Sequence, residues 1–350
     1  MTSVAWKLGH LVNYAEAEKL SLVVLNTARA KFGSESPLAL GGMAAMSETY
    51  RDQKKLLNEA VEMEEYVMNV RKKLLGENNP LVVDSMGNLA LTFIAQSKPK
   101  EAKVLLLRTI DIAEVELGGE HLITLTCKSA LADCYRRLES YEEAEDLLCD
   151  TIQTLASHHG LEHPKTLVAM INLGSTYQNL HAWQDAEECS LRTIEVSTRV
   201  YGLDHINTIA SSATLALSCK HQGRLDDSIT LFLDLIERSS RTLGPEHDET
   251  LSHMCNLAST YQYHQKYDQA EELQLRAREI SEKTLGKEHK YTITCSNNLA
   301  WIWRCQGRKK EALELLVECV VLFKTILGND HPHTVSVTKV LHGWLEEGSH

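Results

Sequence analysis

Histidine offers this chain its most conspicuous capacity for chemistry, with sixteen copies. Six of them (His121, His163, His205, His247, His289 and His331) stand 42 residues apart. Zinc needs its ligating nitrogens about 2.0–2.1 Å from a single ion, and residues sharing one register of a repeated fold lie several times farther apart. Helix capping or packing is therefore the expected role, and no metal is expected. His158, His159 and His163 cluster locally, but Gly160 breaks the helix between them. The nine cysteines include no Cys-x-x-Cys pair and read as small apolar fill. Cys127 and Cys295 share one register, Cys134 follows Cys127 on the same helix, and no base adjoins any of them to make a nucleophile. A Gly-x-x-x-x-Gly-Lys-Ser/Thr phosphate loop is absent, so no cofactor is expected.

What positions these residues is a repeated helical framework. The chain has 350 residues, 43% hydrophobic and 24% charged, with only 6 prolines and 18 glycines, which leaves room for many helices. Lys and Arg number 36 against 48 Asp and Glu, a net charge of −12. That balance, without a basic-aromatic stripe, disfavours nucleic acid as a partner. No uncharged apolar run reaches the length of a bilayer span, so no membrane partner is expected. The first residues lack a secretion signal, and the unpaired cysteines suit a reducing compartment, so a cytoplasmic location is expected.

The segment Leu-Gly-x-(Glu/Asp)-His-x-x-Thr recurs with its glycine at 76, 118, 160, 202, 244, 286 and 328, every interval being 42. A weaker copy stands at Gly33. Leucine keeps the same step at Leu89, Leu131, Leu173, Leu215, Leu257, Leu299 and Leu341, followed by a small residue such as Ala90, Gly174 or Ala258. A ring or its substitute comes four positions on, at Phe93, Tyr135, Tyr177, Cys219, Tyr261 and Trp303. Alanine recurs at Ala60, Ala102, Ala144, Ala186, Ala270 and Ala312, with Ser228 in the gap. Within one unit, Leu167, Met170, Leu173, Gly174 and Tyr177 mark one helical face. Asn179–Ala182 breaks that helix, and Ala186, Cys189, Leu191, Ile194 and Val200 continue with helical spacing to Gly202, where a left-handed cap is expected. Each unit is thus a first helix, a turn, a second helix and a linker. Small residues let neighbouring helices approach, and stacking buries a continuous core.

The pattern Leu173-Gly174-x-x-Tyr177…Ala186 resembles the tetratricopeptide repeat, and the 42-residue step with Leu327-Gly-Asn-Asp-His331-Pro-His-Thr334 is similar to the kinesin-light-chain variety, also common in fungal signal-sensing proteins. The resemblance implies an all-α, right-handed α-solenoid of about eight helix-turn-helix repeats. A single array is expected over residues 1–350. A partial unit at 1–33 would precede repeats at 34–75, 76–117, 118–159, 160–201, 202–243, 244–285 and 286–327. A lone capping helix at 328–347 should carry Val337, Leu341 and Trp344 inward and Lys339, Glu346 and Glu347 outward. Asn13–Glu18 aligns with the start of a second helix, leaving a truncated first helix before it.

In such arrays the first helices line a concave face, which implies a groove. The position before the repeated leucine holds Asn88, Asn172, Asn256 and Asn298, interrupted by Ala130 and Thr214. Asn offers both donor and acceptor, and first helices about 10 Å apart match about three residues of extended chain at ~3.3 Å each. The expected ligand is an extended peptide gripped through its backbone. The remaining lining comprises Asp84, Asp133, Arg136, Arg137, Gln178, Asn179, Lys220, His221, Gln262, Tyr263, Trp301 and Arg304. Its four cations against two carboxylates oppose the sign of the whole chain and favour an acidic peptide. Trp301 is an anchor in this reading, or else it leans on the next repeat. Two alternatives stand beside this non-catalytic interaction module. One is a small-molecule binder or cyclase-like enzyme, with Asp133, His221 and Tyr263 as acid-base groups. The other is the sensor array of a larger signalling protein.

Overall fold

Helical periodicity throughout, with glycine punctuation every 42 residues, produces an α-only chain. The computed structural model describes residues 14–53 and 56–347. Among the described residues there are sixteen helices and no strand. In order they are α1 (Tyr14–Phe32), α2 (Pro37–Asp52), α3 (Leu57–Leu75), α4 (Pro80–Ala95), α5 (Pro99–Glu116), α6 (Leu122–Arg137), α7 (Tyr141–His159) and α8 (Pro164–Asn179). Then follow α9 (Trp183–Tyr201), α10 (Ile206–His221), α11 (Leu225–Thr242), α12 (Asp248–Tyr263), α13 (Tyr267–Leu285), α14 (Lys290–Cys305), α15 (Lys309–Leu327) and α16 (Pro332–Glu347). Even-numbered helices from α2 onward are the first helices of the units. The truncated helix expected before Asn13 lies outside the described residues.

Contacts group the chain into two units, Met1–Ser211 and Ser212–His350, with the border inside α10. In the first unit each helix from α1 to α9 packs on the next, and in the second the same holds from α11 to α16. The repeated small residues make this possible. Ala90, Ala102, Ala132, Ala144 and Ala186 in the first unit, and Ala270, Ala300 and Ala312 in the second, are fully buried. At such sites extra methylenes cost about 1–3 kcal/mol through overpacking. Val337, Leu341 and Trp344 of α16 join the core with Phe323 and Leu316 of α15, while Lys339, Glu346 and Glu347 are exposed.

The linker motif has a specific physical content. The glycines ending the second helices combine positive φ with extended ψ (φ 90°, ψ 173° at Gly202). This is not the left-handed helical cap expected at Gly202 but a region essentially restricted to glycine. The histidine that follows is the N-cap of the next first helix: Nδ1 of His121, His163, His205, His247, His289 and His331 accepts the backbone N–H two residues on, at 3.2–3.4 Å. Thr124, Thr166, Thr208, Thr250 and Thr292 donate their hydroxyls to the glycine carbonyls, closing the linker.

The true left-handed residues sit half a period away, at the turn between the two helices of a unit. They are Leu56, Ser97, Glu139, His181, Gly223, Gln265 and Gly307, all with φ between 48° and 84°. From Ser97 onward each turn is closed by paired bonds, as where Ala182 N–H reaches the carbonyl of Tyr177 and His181 N–H that of Gln178. This is the Schellman arrangement, and the repeated ring residue supplies its carbonyl. On α9 the buried stripe is Ala186, Ser190, Thr193, Val196 and Ser197. Leu191 and Val200 point outward instead of continuing the core face, because small residues, not the large apolar ones, set the packing contact.

Candidate functional site: the row of first helices

Successive first helices touch one another: α2 with α4, α4 with α6 and α6 with α8 in the first unit, α12 with α14 in the second. Second helices make no comparable approach among the described residues. The first helices therefore form the tighter row of each unit, and that row carries the asparagines. Asn88 (α4), Asn172 (α8), Asn256 (α12) and Asn298 (α14) are all half-buried. Thr92, Thr176 and Thr260, four residues on, donate hydroxyls to the backbone carbonyls of Asn88, Asn172 and Asn256. The side-chain amides of Asn172, Asn256 and Asn298 have no partner among the described residues.

Asn88 is differently engaged. Its amide donates to Asp84 Oδ2 at 3.5 Å, and both line a cavity of about 140 Å³ with Leu91, Ile123, Ala130 and Lys165. Ligand pockets are commonly ~300–1,000 Å³, so this one is sized for a single side chain. Burial pushes the Asp84 carboxyl above its ordinary range, against the pull of Arg71 and Lys165. Gly87 lets α6 come this close, since a Cβ there would meet Cys127 Sγ at 3.1 Å. Lys165 and Arg71 are not among the lining residues expected from the repeat register, which is why the sequence did not place them beside Asp84.

The lining cations are largely answered from within the chain. Asp133 pairs with Arg136 and, at 2.9 Å, with Arg137, so one carboxylate holds two guanidiniums. Arg304 pairs with Glu347 of α16 and lies 4.4 Å from the centre of the Trp344 ring. Trp301 meets Trp344 edge-on at 4.9 Å and keeps 37% of its surface exposed, so it leans on the following helix and still shows a face. Asn179 turns its amide back to the carbonyl of Ser175. Gln262 approaches Cys305 Sγ at 3.6 Å, Gln178 is half-buried, and His221 and Tyr263 are exposed.

Lys220 is unusual. Only 9% exposed, its amine donates to Ser259 Oγ at 2.8 Å and lies 4.6 Å from the Tyr263 ring centre. Burial lowers its pKa to about 8. As for the acid-base trio, Asp133 lies in the first unit with its carboxylate held by two arginines, and His221 and Tyr263 lie in the second. Among the described residues no group of three His, Cys, Asp or Glu could hold a metal ion. No helix among them is long and apolar enough to cross a membrane.

A model described as tetratricopeptide repeat matches residues 101–157, 208–282 and 257–325, half of the chain. A second model of the same description matches 166–207. The chain belongs to the tetratricopeptide-repeat family. Curated protein sequences contain no match to this tetratricopeptide-repeat chain. Among solved structures, a Podosopora anserina putative kinesin light chain with nearly identical TPR-like repeats is 24% identical and covers 58% of this chain and 96% of that one, at a TM-score of 0.48. Rap protein complexed with competence and sporulation factor covers 98% of both chains at 11% identity and a TM-score of 0.65. NprR in complex with its cognate peptide NprX covers 88% of this chain and 84% of that one at 12% identity and a TM-score of 0.62. These last two likenesses establish the solenoid fold.

Proposed function

We propose that this tetratricopeptide-repeat chain is a protein-interaction module in which the row of first helices of each unit holds an extended peptide segment. The observation that carries the reading is the set of side-chain amides on Asn172, Asn256 and Asn298. They share one register of the first helices, Asn172 in the first unit and Asn256 and Asn298 in the second, are half-buried, and have neither donor nor acceptor committed among the described residues. An amide of this kind can meet both the N–H and the C=O of a passing backbone. The similar structures of Rap with competence and sporulation factor and of NprR with its peptide NprX support ligand capture by this fold.

An acidic ligand is favoured by the residual charge. The Asp133, Arg136 and Arg137 cluster retains one positive charge, and the Glu347 carboxylate already on Arg304 shows what that guanidinium accepts. Isothermal titration of the full chain with acidic and basic extended peptides of about ten residues tests the proposal. Each of Asn172→Ala, Asn256→Ala and Asn298→Ala removes hydrogen bonds together worth about 1–2 kcal/mol, a roughly 5- to 30-fold loss of affinity. Unchanged affinity in all three variants refutes the row as the site, and equal affinity for basic peptides refutes the charge preference.

A further inference from the structure

Cys255 on α12 and Cys295 on α14 come from consecutive first helices in the second unit, and their sulfur atoms lie 3.6 Å apart. They are in van der Waals contact. The close approach of the row brings them together, although 40 residues separate them. A third residue completes the cluster: Gln274 of α13, fully buried, donates its amide N–H to Cys255 Sγ at 3.5 Å. The other end of that amide, Oε1, is buried with no partner among the described residues. The pair is asymmetric. As residues, Cys255 is half-buried and Cys295 is fully buried.

We propose that Cys255 and Cys295 form a peroxide-responsive dithiol, in which Cys255 is oxidised first and Cys295 resolves it as an intramolecular disulfide. Donation from Cys295 and from Gln274 holds the Cys255 thiol below its ordinary pKa, and donating to Cys255 pushes that of Cys295 up, so Cys255 is the sulfur that ionises. In the first step the Cys255 thiolate attacks hydrogen peroxide. An S–O bond forms, the O–O bond breaks, and hydroxide leaves, giving a sulfenic acid. In the second step the Cys295 sulfur attacks the Cys255 sulfur, and the sulfenic oxygen departs as water with the thiol proton. Two electrons pass from the two sulfurs to one peroxide. The resulting bond ties α12 to α14 one residue from Asn256. This inference does not rest on the peptide-binding reading.

The chain carries its own controls in Cys149 and Cys305, which are more exposed than Cys255. The full-length reduced protein is treated with hydrogen peroxide at near-equimolar dose, blocked with N-ethylmaleimide and digested with trypsin without reduction. The expected product is peptide 242–266 linked to peptide 291–304, each containing a single cysteine, with a loss of two titratable thiols per chain. In Cys295→Ser, dimedone should trap a sulfenic acid at Cys255 several-fold faster than at Cys149 or Cys305. Oxidation of Cys149 or Cys305 ahead of the 255–295 link overturns the proposal, as does the absence of the linked peptide pair after peroxide treatment of the unsubstituted protein. If Cys295→Ser fails to fold, the order of thiol loss in the unsubstituted protein decides between the same outcomes.

Discussion

Replacing Lys220 by methionine tests whether the first-helix row of the second unit excludes water as the structure implies. The lysine amine is 9% exposed, bonded to Ser259 and close to the Tyr263 ring, with no carboxylate paired to it among the described residues. Its pKa falls from 10.5 to about 8, which makes the protonated folded chain ~3 kcal/mol less stable at pH 7 than an unburied lysine would leave it. The sign follows from the depressed folded value. Stability is complete above 10.5 and is lost as pH falls through about 8. Lys220→Met removes that cost but also the Ser259 hydrogen bond, worth ~1 kcal/mol. The variant should therefore be more stable by ~2 kcal/mol at pH 7, with the advantage close to zero by pH 9.5. Urea midpoints at both pH values measure the gap. A ¹³C-methylated sample reports the amine directly, its resonance assigned by its loss in Lys220→Met. A gap that does not change between pH 7 and 9.5, or a Lys220 resonance titrating near 10.5, refutes the reasoning.

Two further outcomes concern stability. Glu64, 3% exposed, accepts bonds from Ser47 (2.9 Å), Thr92 (2.7 Å) and Arg51 (3.3 Å). Glu64→Ala should cost ~2–4 kcal/mol by removing the buried acceptor shared by Ser47, Thr92 and Arg51, although Arg51 keeps Glu48 and the Asn88 carbonyl, measured by urea denaturation, and a loss below ~1 kcal/mol would show that the network is not closed. Burial raises the Glu64 pKa above the ordinary 4.5 despite Arg51, so its contribution is complete below 4.5 and is lost as pH rises through the raised value. Glu64→Gln should accordingly gain on the wild type as pH rises above 4.5. At the left-handed turns, Glu139→Gly should add ~0.5–1 kcal/mol by relieving φ 64°. Gly223→Ala should lose a similar amount, and thermal midpoints moving in the same direction for both would contradict the turn geometry.

The repeat itself was legible because chain sterics, not tertiary context, demand it. A Gly202-type backbone, with positive φ and extended ψ, excludes every residue bearing a Cβ, so glycine appears at each linker and reveals the 42-residue step. The capping histidines and the buried alanines were legible for the same reason, each being confined by one local geometry. The half-period turn was read as a break and no more, because a left-handed residue at moderate cost tolerates Ser97, Glu139, His181 and Gln265 as well as glycine, and a tolerant position leaves no signature. On α9 Leu191 and Val200 keep the expected helical spacing, but the buried face was not legible, since burial went to Ser190, Thr193 and Ser197.

By itself, then, the sequence determined that this protein is a stack of paired helices and which helix of each pair carries the asparagines. Backbone sterics and helical periodicity act within a few residues, and 42-residue repetition multiplies their signal. Only the tertiary structure decided which of those side chains are free to act. Packing brought Asp84 toward Lys165, placed Asp133 between two arginines, laid Glu347 on Arg304, buried the Lys220 amine and set Cys255 against Cys295. Charge pairing and desolvation depend on distances between residues tens of positions apart, and those distances come into being only when the helices stack.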